Sequence, residues 1–115
     1  MAYDEELAHR LRELLAGEEA ISEQRMFGGL AFLHHGNMSV SASSRGGLLV
    51  RIDPEETETA LADPHVRMME MGGRGPMRGW VHVAPEAVRT KRQLQAWVKR
   101  SLAYAHSLPP KRARR

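Results

Sequence analysis

Between Met26 and Ile52 the apolar residues leave the helical spacing that precedes them and recur at about every second position. That period belongs to strands, whose successive side chains point to opposite faces of a sheet. Turn signals divide the stretch into "MFGGLAFL", "HHGN", "MSVSAS", "SRGG" and "LLVRI". Three strands in an antiparallel meander are therefore predicted. In the middle strand Ser39, Ser41 and Ser43 alternate with Met38, Val40 and Ala42, so one face is expected to be wet. Such a strand suits a sheet with helices on one side only.

The flanks have helical periodicity. From Asp4 to Ala16, Leu7, Leu11, Leu14 and Leu15 share a face, with Asp4 as cap and Gly17 as stop. "EEAISEQ" follows as a polar connection. Beyond the meander, Asp53 and Pro54 open a short helix that ends near Ala62. "VRMMEM" is expected as a strand, "GGRGPMRG" (72–79) as a loop and "WVHV" (80–83) as a strand. Thr90 and Gln93 form a capping box for a last helix running to about His106. Its inner arc holds Leu94, Trp97, Val98, Ser101, Leu102, Tyr104 and Ala105; Arg92, Gln95, Lys99, Arg100 and His106 lie outside. The predicted order is α-β-β-β-α-β-β-α. This is a single α+β domain over residues 1–108, an antiparallel sheet covered by helices, followed by a disordered basic tail at 109–115.

A chain of 115 residues supports one such core. It has no cysteine, which excludes a disulfide framework, a thiolate metal site and thiol catalysis. No apolar run reaches the length of a membrane span. The opening "MAYDEELAHR" lacks the basic and apolar parts of a secretory signal, so the cytoplasm is the expected location.

Charge is unevenly placed. Four of the 17 lysines and arginines, Lys111, Arg112, Arg114 and Arg115, sit in the last five residues; without them the 14 acidic residues outnumber the basic by one. With Arg92 and Lys99 on the last helix, these cations are the candidate nucleic-acid contacts, through phosphate and without base reading.

Other motifs have competing readings. Gly28 and Gly29 could cradle an anion through backbone N–H groups, or mark a bulge, a bend or a close backbone approach. No Lys or Ser/Thr follows as a phosphate loop requires, which favours the structural role. Arg74 and Arg78 lie among glycines and are candidate loop ligands; the alternative is a solvated connection. The methionines at 68, 69, 71 and 77 suit either an adaptable surface or core filling. His34 and His35 are neighbours on a strand and point apart, no helix carries an i, i+4 histidine pair, and no metal or other cofactor is expected. No nucleophile elbow or paired-carboxylate pattern is present, so no catalytic residue is assigned.

A leading helix, then "RMFGGLAF", "GLLVRID", "GRGPMRGWVHV" and "LQAWVKRSLAYAHSLPPK", together resemble the TfoX (Sxy) N-terminal domain family from about Asp4 to Lys111. Met26, Phe27, Gly28 and Gly29 are the most specific element, supported by Gly79 and Trp80. The resemblance implies a compact α+β domain similar to small dimeric secretion-chaperone folds. It also implies a bacterial, non-enzymatic regulatory or adaptor role. Longer members regulate natural competence with the cyclic-AMP receptor protein and carry a second, helical C-terminal domain, which this sequence is expected to lack. A protein partner and weak, non-specific nucleic-acid contact are expected, a homodimer is open, and no membrane contact is expected. The rival function is a chaperone-like dimer that binds peptide or protein on its sheet face.

Overall fold

The computed structural model describes residues 3–26, 28–70 and 76–109. Helix α1 (Glu5–Leu14) starts at Asp4, whose Oδ1 accepts hydrogen bonds from the Glu6 and Leu7 amides at 2.9 and 3.2 Å. Strands β1 (Ile21–Met26), β2 (Gly29–His34), β3 (Asn37–Ala42) and β4 (Leu48–Arg51) follow. A single 3₁₀ turn (Pro54–Glu56) leads into α2 (Thr57–Leu61), then β5 (Val66–Glu70) and β6 (Pro76–Val83). A second 3₁₀ turn (Pro85–Val88) precedes α3 (Lys91–Ser107). The expected capping box is present: the Gln93 amide donates to Thr90 Oγ1 at 3.1 Å and the Thr90 amide to Gln93 Oε1 at 3.0 Å. The sheet is antiparallel throughout in the order β1-β2-β3-β4-β6-β5. The α+β architecture with three helices is the one read from the sequence, with one more strand than expected.

That strand is β1. Residues 21–24, expected as connection, pair with β2 from Ile21↔His34 to Met26↔Gly29. The segment beginning at Met26 is therefore the end of one strand and the start of the next, not one bent strand, and the chain reverses between Met26 and Gly29. Phe27 lies outside the described residues. Gly28 has φ +77°, the left-handed region that glycine enters without a side-chain penalty. Gly29 begins β2 so close to β3 that a Cβ there would run into the Ala42 carbonyl oxygen. Both glycines thus serve the hairpin.

The main core lies between α1, α3 and one face of the sheet. Leu30, Phe32, Val40, Leu48, Val50 and Val81 meet Leu7, Leu11, Leu94, Val98 and Leu102. Trp97 is buried in this core, as the helical pattern predicts. The other face is not the wet face expected. Ala31, Leu33, Met38 and Leu49 form a second buried cluster there, with Met26, Met69 and Trp80 packed against it. Ser39 and Ser41 are buried as well. The cause at Ser39 is a bulge: Phe32 pairs with Val40 and Leu33 with Met38, so Ser39 is the extra residue. Ser39 meets α3, where its Oγ lies 2.7 Å from Ser101 Oγ and its carbonyl accepts from Ser101 Oγ at 2.6 Å.

Candidate functional site

β6 is longer than its composition suggests and begins at Pro76, so residues 76–79 are strand and not loop. Proline is tolerated at a strand's first position, and the β5–β6 pairing is irregular between Met68 and Glu70. Arg78 is consequently on a strand and not in a loop. Its guanidinium pairs with Glu58 and donates to the Pro54 carbonyl at 2.7 Å. Gly79 continues the same junction. Its amide donates to Thr57 Oγ1 at 2.9 Å and its carbonyl accepts from the Ile52 amide at 2.8 Å, while Thr57 Oγ1 donates to the Pro54 carbonyl at 2.6 Å. Thr57 is fully buried, so these bonds replace water and lock β6 to the turn after β4. The Gly79–Trp80 motif is thereby a structural junction that sets the position of Trp80. Arg74 and Met71 lie outside the described residues.

Trp80 is half-buried beside the second cluster and pairs across the sheet with Arg51. The Arg51 Cζ lies 5.0 Å from the Trp80 ring centroid and 5.5 Å from that of Tyr104 on α3. A guanidinium between two aromatic rings is held by cation–π attraction and keeps its N–H groups available at its edges. Among the residues whose side chains are described, which leaves out Glu70, Arg51 has no carboxylate partner within ion-pair distance. Met26 and Met69 are also half-buried against this cluster. The resulting surface joins adaptable thioethers, an indole and a stacked cation, a composition enriched at protein contacts. Sequence pattern alone missed Arg51 and Tyr104, because the register between β4 and β6 and the packing of α3 bring them together. Met69 was anticipated as one of two alternatives, and it has a surface portion.

The candidate nucleic-acid residues divide. Arg92 and Lys99 are exposed on α3, as its wheel predicts. Lys111, Arg112, Arg114 and Arg115 lie outside the described residues, as does most of the segment expected to be a disordered tail. Arg100 is partly engaged: it lies 4.7 Å from the Trp97 ring centroid and 3.4 Å from Glu56. A further basic feature was not foreseen. Arg10, Glu13, Leu14, Arg89, Lys91 and Leu94 line a cleft of about 300 Å³ between α1 and the start of α3. Arg10 Nη2 donates to the Arg89 carbonyl at 3.1 Å across it.

Three of the six histidines have plain local surroundings. His82 Nε2 is 2.7 Å from the Gly46 carbonyl and holds the β3–β4 turn. His65 lies 3.3 Å from Asp63, and His9 faces Glu13 one turn on. His34 and His106 are brought together with Glu18. Short-range spacing could not reveal this, since Glu18 and His106 are 88 positions apart. The described residues contain no helix long and apolar enough to cross a membrane.

No curated protein and no solved structure matches the chain. The model of the TfoX N-terminal domain family matches residues 13–105, which takes in the β1–β2 hairpin, the whole sheet and nearly all of α3. The chain belongs to the TfoX N-terminal domain family.

Proposed function

We propose that this domain is a non-enzymatic regulatory adaptor of the cytoplasm, acting through protein contacts in transcriptional, competence-like control. The observation that carries this reading is the surface of Met26, Met69 and Trp80 with the stacked Arg51. It offers apolar area and a cation that no described carboxylate pairs, which suits a partner presenting an apolar residue next to an acid. The exposed Arg92 and Lys99, with the basic residues 111–115, add weak nucleic-acid contact through phosphate alone. The open edge of β1 favours the second reading, a chaperone-like module that captures peptide by adding a strand.

A photocrosslinking residue at 69, compared with one at 86 on the exposed turn before α3, tests the adaptor reading in cells of the native host. Discrete protein adducts from 69 and none from 86 support it; equal or absent adducts at both overturn it. Adducts to many unrelated chains, concentrated at 23 or 24 in β1, favour the peptide-binding module. On unrelated duplexes, affinity should fall with salt at a log–log slope no steeper than about −4, and lose most of that slope without residues 111–115.

A further inference from the structure

His34 ends β2, His106 sits in the last turn of α3, and Glu18 lies in the connection between α1 and β1. One nitrogen from each imidazole and one carboxylate oxygen of Glu18 all lie within 4.8 Å of one another. The two rings are 4.6 Å apart at their centroids, tilted by 59°, and His106 Nε2 is 3.0 Å from Glu18 Oε1. His34 is only 9% exposed, and its Nδ1 is buried with no hydrogen-bond partner. A buried polar atom left unpaired is rare in folded proteins and calls for an explanation. The exposed ring of His35 packs edge-on against His34, 4.5 Å between centroids.

We propose that Glu18, His34 and His106 form a divalent transition-metal site, with zinc as its ion. Two imidazoles and one carboxylate are a ligand set that zinc accepts, leaving one position for water. Hard cations such as magnesium prefer oxygen ligands alone. Tetrahedral ligands on zinc are about 3.3 Å apart, so the three groups need to close by no more than about 1.5 Å. Glu18 and His106 can supply this movement, because both side chains reach solvent. The ion would brace three elements that lie far apart in the sequence. It would do so where the chain leaves α3, close to the bond from Asn37 Nδ2 to the Pro109 carbonyl at 2.9 Å.

The test uses the untagged full chain, stripped of metal by a chelator that is then removed. Zinc is titrated against a chromophoric competitor, and cobalt(II) reports coordination number through its visible absorption. One equivalent of zinc should bind with a micromolar or tighter Kd, cobalt should give a four-coordinate spectrum, and zinc should raise the thermal midpoint. His106→Gln and Glu18→Gln change surface groups and should keep the fold by circular dichroism; each should weaken zinc at least tenfold and abolish the rise in midpoint. His65→Gln, at the His65–Asp63 pair, should change neither. Failure to take up one equivalent, uptake unaffected by both site variants, or equal loss in His65→Gln would each overturn the site.

Discussion

The two arms of the first hairpin are the same length and pair residue for residue, yet their surroundings are opposite. All six residues of β2 are buried, whereas four of the six in β1 are exposed. β2 has β1 on one side, β3 on the other, and an apolar cluster on each face. β1 is an edge, paired on one side only. One arm is therefore held by burial, and the other by its hydrogen bonds to that arm. A strand of the second kind has no reason to show an alternating pattern, because neither face needs to be apolar. It leaves a row of backbone groups unpaired along the edge, where a partner strand could add.

The largest test of this contrast lies at Phe32 and Glu23, which face each other across the hairpin. Phe32 is 1% exposed in the main core, and Phe32→Ala should cost about 3–5 kcal/mol in denaturant unfolding. Glu23→Gln should stay within about 0.5 kcal/mol at neutral pH. A large effect at 23 would mean that β1 contributes packing of its own. Hydrogen exchange should agree, with the amides of central β2 protected to near the global stability and the outward amides of β1 exchanging orders of magnitude faster.

This contrast also explains what the sequence disclosed. "GLAFL" and "LLVR" announce strands because both clusters require their apolar side chains. "ISEQRM" does not, since its strand character depends on β2 being beside it. Residues 76–79 were obscured in another way, because proline and glycine usually mark loops and here they open a strand pinned by Thr57. Ser39 was placed on a wet face because strict alternation allows for no bulge. Of the candidate surface, Met69 could be named in advance as one of two alternatives, whereas Met26 and Trp80 were legible only as structural positions. Arg51, Tyr104 and the Glu18–His34–His106 group depend on register and on the closing helix, which no local pattern encodes.

At the junction of the two arms the expected effects are intermediate. Gly29→Val places a Cβ against the Ala42 carbonyl, which belongs to the neighbouring strand and cannot rotate away. The expected cost is about 1–3 kcal/mol, seen as a lower denaturant midpoint. An unchanged midpoint would show that β2 and β3 can separate there without loss. Gly28→Ala keeps the turn but puts a side chain at φ +77°, with its Cβ 3.1 Å from that of Ser44. About 1 kcal/mol is expected, smaller than at Gly29 because the turn faces solvent and can adjust.

The smallest effect belongs to the one ion pair that ties the exposed arm to a helix. Arg12 on α1 donates to Glu23 on β1 through Nε at 2.6 Å and Nη2 at 2.9 Å. The hydrogen bonds from Arg12 hold the Glu23 carboxyl below its ordinary value of 4.5, against a lesser opposing push from desolvation. A folded-state pKa lower than the unfolded one means that the unfolded chain binds more protons between the two values. The pair's stabilisation is therefore complete above about 4.5 and fades as pH falls through the folded value. Both side chains are at least a third exposed, so water and salt screen the attraction. Thermal midpoints of the wild type and Glu23→Gln should differ slightly at pH 7 in low salt, and converge both in acid below the folded-state value and in high salt. A difference that persists in acid below that value would assign the role of Glu23 to something other than its charge. A large one at pH 7 would mean that the edge strand relies on α1 as well as on β2.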